Sequence, residues 1–147
     1  MTALSDRGIL EAMAEGSLVI DPFSRECLSP AGYDVRSNSP LSMQPGRQAL
    51  VHTVERLELG PAVCGEIFIR SSFAREGVFG SFAIIDPGFK GQLTLSIANF
   101  GESIVEISQG ERIAQVVFHR LSSPADRPYS GRYQGSAGTV SSKRGFK

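Results

Sequence analysis

At 147 residues the chain can bury roughly two thirds of the surface its unfolded form exposes, which suffices for one core and falls short of two. Its 15 Lys and Arg balance 15 Asp and Glu, so no overall charge draws it to nucleic acid or to a membrane surface, and an anionic partner has to be met by a local cluster. No apolar run approaches the roughly 18 residues of a membrane span and no signal-peptide pattern appears, from which a cytoplasmic location is expected.

One helix is expected near the start. Ser5 can cap a segment from Asp6 to Glu15, with Ile9, Leu10 and Met13 on one face and Gly16 closing the end. Strands follow at Leu18 to Ile20, Tyr33 to Arg36, Gln48 to Leu57, Val63 to Arg70, Gly80 to Ile85, Gln92 to Asn99, Ser103 to Ile107 and Arg112 to His119. Gly and Pro punctuate them at short intervals, so residues 1–147 read as a single all-β barrel or jelly-roll domain with a short N-terminal helix. Cys27 and Cys64 lie far apart without CxxC spacing, and His52 and His119 are the sole histidines, which excludes a zinc site and leaves two bland thiols. Residues 130–147 are rich in Gly and Ser and end in Lys143-Arg144-Gly145-Phe146-Lys147. By composition this is a floppy tail, with a segment that orders over a ligand as the alternative.

The stretch from Ile84 to Ile97 carries the most information. Asp86-Pro87-Gly88 alone is an ordinary turn. In the strand that follows, Leu93, Leu95 and Ile97 fall on one face and Gln92, Thr94 and Ser96 on the other, so one face is core and the other can line a pocket.

Four segments, AGYDVRS (Ala31 to Ser37), RSSFAREG (Arg70 to Gly77), IIDPGFKGQL (Ile84 to Leu93) and GERIAQVVF (Gly110 to Phe118), resemble in order and interval the motif series of the dUTP diphosphatase and dCTP deaminase superfamily. The resemblance spans nearly the whole chain. Leu4 to Pro22 is similar to the start of dCTP deaminases, and Arg127 to Ser142 resembles their phosphate-binding C-terminal segment, whereas the middle motifs read more like a dUTPase.

The resemblance implies a distorted jelly roll of the dUTPase-like type and hydrolysis of dUTP to dUMP and diphosphate. Asp86 is matched to the general base that activates the water attacking the α-phosphorus, with Mg2+ holding charge on the phosphates. Phe89 is matched to the aromatic that packs on deoxyribose and rejects a 2′-hydroxyl. Arg70 and Ser71 match the phosphate-binding pair, Arg75 a deaminase arginine, and Gln115 an amide donor to phosphate; Ser72 and Ile85 fall in the substrate site with them. Asp34 is matched to an aspartate that helps hold magnesium-bound waters or the closing tail, a turn acceptor being the plainer role. Arg132 and Tyr133 match deaminase phosphate contacts, and Arg144 with Phe146 could mimic a dUTPase closing arm over 130–147, although their spacing is shorter than usual. The expected partner is deoxyuridine triphosphate, bound by a homotrimer with shared active sites that the tail completes by crossing to a neighbour.

Three departures bear on the reaction. Ser96 stands where the resemblance to deaminases calls for a glutamate that activates water toward C4 of cytosine, so deamination is expected to be absent. Ile84 replaces a frequent arginine, and Gly80 replaces an asparagine that pairs with uracil in many dUTPases, which loosens the expected strictness for the base. The alternatives are a dCTP deaminase, a bifunctional deaminase-dUTPase, or a non-enzymatic nucleotide-binding regulator on the same scaffold.

Overall fold

The protein is described by a computed structural model covering residues 2–80 and 83–145. After a short strand β1 (Thr2–Ala3) comes helix α1 (Asp6–Ala14), where the Ser5 hydroxyl accepts the Gly8 N–H as an N-cap and Gly16, at φ +75°, ends the run. The helix buries Ile9 and Ala12, while Leu10 and Met13, expected on the same face as Ile9, are only partly buried.

The rest is strand and turn. The elements are β2 (Leu18–Asp21), β3 (Leu28–Ser29), β4 (Gly32–Arg36), β5 (Leu41–Met43), β6 (Gln48–Leu59), β7 (Val63–Ile69), helix α2 (Ser71–Arg75), β8 (Val78–Gly80), β9 (Ile84–Ile85), β10 (Lys90–Asn99), β11 (Val105–Ile107) and β12 (Arg112–Arg120). One sheet runs β3-β4-β12-β7-β9 with β1 paired to β12; a second runs β2-β6-β10-β8; β11 and β5 form a small third. These antiparallel sheets make the distorted jelly roll that the strand punctuation indicates. Among the described residues no helix is long and apolar enough to cross a membrane.

Period-two alternation is clearest in β6 and β10, the most extensively paired strands. Val51, Leu57 and Leu59 point inward from β6, and Leu93, Leu95 and Ile97 from β10. They meet Tyr33, Val35, Ile113, Val116 and Phe118 of the other sheet in one core. The β6–β10 ladder is irregular: β6 advances from Arg56 to His52 while β10 advances only from Gln92 to Thr94. The break is repaired locally. Leu93 N–H donates to Thr53 Oγ1 at 3.1 Å, and the Gln92 amide donates to Thr53 O at 2.9 Å.

The structure departs from the sequence expectation in several places. The strand expected from Gly80 to Ile85 is two, with β8 on the edge of the second sheet and β9 on the edge of the first. Arg70, expected at a strand end, instead precedes α2, a helix too short to show periodicity in sequence. The strand expected from Ser103 begins at Val105, and β5 was not anticipated.

Within the bulge, Glu55 is fully buried, and its carboxylate accepts Arg36 Nε at 2.6 Å and the Arg36 backbone N–H at 2.9 Å. Removing one partner of such a pair strands the other charge in the core. Arg36→Ala is expected to lower the unfolding free energy by about 3–5 kcal/mol, and Glu55→Gln, which keeps one of the two acceptor oxygens, loses the charge and sets an NH2 donor against an N–H, to lower it as well. A guanidinium unfolding midpoint unchanged in Arg36→Ala would mean that Glu55 is solvated instead.

Candidate active site

Asp86 opens a turn that the fold holds from both sides. Phe89 N–H closes it on Asp86 O at 3.1 Å, while Gly88 N–H donates to Leu59 O and Leu59 N–H to Phe89 O, both at 2.9 Å, fastening it to the end of β6. Ile85, buried on β9 opposite Gly65, anchors the approach. Asp86 itself is exposed, and among the described residues its carboxylate has no hydrogen bond or ion pair. Its charge is felt nearby: the Cys64 thiol is pushed up by burial first and then by the Glu66 and Asp86 carboxylates.

The turn and the outer face of β10 enclose a cavity of about 650 Å³. Gln92, Thr94 and Ser96 line it, as the alternation of β10 implies, with Ile84, Ile85, Phe89 and Leu93 supplying apolar wall. Ser96 Oγ accepts the Gln48 amide across the β6–β10 ladder at 2.8 Å. Phe89 is largely buried and meets the edge of Tyr129 at 5.9 Å between centroids. Asp86 is the one carboxylate on this wall among the described residues, and no Lys or Arg lines it.

The expected phosphate residues gather elsewhere. Arg70 Nε and Arg112 Nη1 lie 3.1 and 3.6 Å from Asp34 Oδ2, and burial pushes the Asp34 carboxyl up while the two guanidiniums pull it back. Gln115, opposite Asp34 in the β4–β12 register, donates its amide to Ser29 Oγ at 2.6 Å. Ser71 and Ser72 are exposed in the first turn of α2, and Arg75 Nη1 donates to Ser71 O at 3.2 Å. None of these lines the cavity. Asp34 is held between two cations, and among the described residues no cluster of His, Cys, Asp and Glu could ligate a metal directly, so any magnesium would be held by substrate phosphates and water, with Asp34 acting through water.

Residues 129–143 lie along their own chain in this structure. Tyr129 N–H donates to Pro87 O at 2.7 Å, Gly135 N–H to Lys90 O and Gln92 N–H to Ser136 O at 2.8 Å. Tyr133 reaches the cavity wall, and its hydroxyl accepts Lys143 N–H at 2.9 Å, which with the Lys143 charge lowers the phenol's proton affinity. Arg132 Nη1 donates to Lys143 O at 2.6 Å and so faces the tail, while Arg144 N–H donates to Ser142 Oγ at 3.2 Å. Phe146 lies outside the described residues.

Tyr129, Ser136 and Val140 are cavity residues that the sequence did not single out. The available signal was the pair of glycines in the Asp86–Gly91 turn. A Cβ on Gly88 would sit 2.6 Å from Pro128 Cβ, and one on Gly91 would sit 2.8 Å from Ser136 N, so both make room for the returning tail. Gly88 is also at φ +88°. Gly88→Ala is expected to cost more than about 1 kcal/mol, from the strained φ and the displaced tail, read as a lower denaturation midpoint. An unchanged midpoint would show that the turn tolerates both.

EIAV dUTPase superposes with TM-score 0.62 at 21% identity over 78% of this chain and 98% of its own. The 2′-deoxycytidine 5′-triphosphate deaminase of Agrobacterium tumefaciens superposes with TM-score 0.71 at 19% identity, over 81% of this chain and 48% of that longer one. The fold is therefore that of the dUTPase and dCTP deaminase superfamily. A dCTP deaminase-like family model matches residues 37–121, and the dCTP deaminase of Pyrococcus horikoshii is 45% identical over 142 residues, 86% of this chain and 91% of the relative. The chain belongs to the dCTP deaminase-like family. A more distant relative, from Methanopyrus kandleri, is a dUMP-forming dCTP deaminase, 33% identical over 177 residues and covering 92% of each chain. These relatives weigh toward the deaminase alternative over dUTP hydrolysis.

Proposed function

We propose that the cavity takes a pyrimidine 2′-deoxynucleoside triphosphate and that the reaction is deamination of dCTP: water adds at C4, the amino group leaves as ammonia, and dUTP remains. The observation that supports water-activating chemistry here is Asp86, among the described residues an unpaired carboxylate on the cavity wall, which would take a proton from water and return one to the leaving group. The names of relatives at 45% and 44% identity support cytosine as the base. Phe89 offers the ring against which deoxyribose packs.

Ser96 favours a second reading. Its hydroxyl, neutral and receiving the Gln48 amide, does not stand in for a second carboxylate. One carboxylate suffices for attack of water on the α-phosphorus of dUTP, giving dUMP and diphosphate. Both reactions draw on Asp86.

The assay that separates them supplies dCTP and dUTP individually, with and without Mg2+, and follows ammonia and diphosphate. Ammonia from dCTP supports deamination. Diphosphate from dUTP with no ammonia from dCTP selects the second reading, and neither product removes both. Asp86→Asn is expected to keep nucleotide binding and lower turnover by roughly two to four orders of magnitude. Near-wild-type turnover takes Asp86 out of the mechanism.

Among the described residues the cavity wall holds no cation for a triphosphate, while Arg70 and Arg112 sit apart from it in the same chain. A homotrimer in which a neighbour brings Arg70, Ser71 and Gln115 to each cavity mouth supplies the missing charge. Exposed Phe68 and Ile84 give such an assembly apolar surface to cover. Light scattering is expected to give three times the 15.8 kDa chain mass, and a fully active monomer would overturn the shared-site arrangement.

A further inference from the structure

The polar face of β10 is joined to the tail through side chains as well as backbone. Gln92 Oε1 accepts Gly138 N–H at 2.7 Å, and Thr94 Oγ1 accepts Val140 N–H at 3.0 Å. The other end of the Gln92 amide donates to Thr53 O at 2.9 Å, in the irregular crossing of β6 and β10. One amide thus spans the bulge and the tail, with its oxygen and its nitrogen both engaged. The strap so held contributes Tyr133, Ser136 and Val140 to the cavity.

We infer that Gln92 and Thr94 are positioning residues for substrate: they fix the strap over the cavity of its own subunit, and the strap, not their own contact with the ligand, is how they act. The substrate part of this inference rests on the reading of the cavity as a deoxynucleotide site. Binding that needs the seated strap is weakened by whatever fraction of molecules has it unseated, and by reciprocity a bound nucleotide protects the strap. In this arrangement the Gly138 and Val140 amides report the seat directly, because each donates to one of the two side chains.

The experiment uses the full chain and measures amide hydrogen exchange at Gly138 and Val140, together with KM and kcat for dCTP and dUTP. In Gln92→Leu, exchange at Gly138 is expected to accelerate by ~10-fold or more while core amides of β4 and β12 stay protected, and KM is expected to rise by a larger factor than kcat falls. Gln92→Glu keeps an acceptor for Gly138 N–H and loses the donor to Thr53 O, so it is expected to restore strap protection toward wild type. Should Gln92→Leu fail to fold, Thr94→Val reads the same seat through the loss of the Val140 N–H acceptor and of the longer donation to Gly138 O at 3.5 Å, leaving the Gln92 amide in place. Unchanged exchange in the folded variants overturns the seat. Faster exchange with unchanged KM overturns the positioning role. A wild-type chain that binds neither nucleotide removes the substrate reading, and the exchange measurement still decides the seat.

Discussion

The irregular crossing of β6 over β10 at Thr53, Val54 and Glu55 is the constraint on which the rest depends. A side-chain period of two leaves no freedom in β10: once Leu93, Leu95 and Ile97 are buried, Gln92, Thr94 and Ser96 must face the cavity, and a slip of one residue would exchange the two sets. The irregularity gives β6 two extra residues, an even number, so Val51, Thr53, Glu55, Leu57 and Leu59 all stay inward across the break. Its cost is an interrupted ladder, met by the Thr53 hydroxyl and the Gln92 amide. Those same groups back the cavity wall, so core register and site geometry are set by one local irregularity.

The bulge also fixes where charge can be buried. Glu55 points from it toward β4, where Arg36 satisfies it, and two residues earlier on β4 Asp34 is held between Arg70 and Arg112. Two buried carboxylates on adjacent strands would be costly without these guanidiniums. The consequence for the site is that Arg70 and Arg112 answer an internal demand as well as any external anion. A phosphate approaching them competes with Asp34 for the same forked donors, so the carboxylate limits how strongly the pair attracts anions when no ligand is present.

Much of this was legible in the sequence, and the parts that were not share a physical reason. The Ser5 cap, the closing Gly16 and the alternation of β10 are local patterns and appear as read. The division of the Gly80 to Ile85 stretch between two sheets is a tertiary choice that no local pattern encodes, and α2 is too short for periodicity to reveal. Site chemistry divides the same way. Asp86, Ile85 and Phe89 come together because one turn carries them, whereas Arg70, Ser71, Gln115 and Asp34, expected at the same site from their motifs, collect around β4, β12 and the start of α2. For the tail, composition left a loose segment and an ordering one open; Gly88 and Gly91 make the space along which it lies in this chain.

What the fold leaves at the centre is a carboxylate with a choice of electrophiles. Asp86 is fixed by backbone bonds to β6 and unpaired by any neighbour among the described residues, so it can serve a water on whichever side the substrate presents its reacting atom. The base and the α-phosphorus of one nucleotide lie at opposite ends of a deoxyribose, and in the proposed reading Phe89 at the turn is the ring on which that sugar rests. Selecting between C4 and phosphorus then falls to groups other than Asp86. Ser96 takes no proton from water at the base end, while cations brought to the mouth would stabilise charge at the phosphate end. On the proposed reading the reaction is decided by what surrounds the shared carboxylate, a neutral Ser96 at one end of the cavity and cations brought to its mouth at the other.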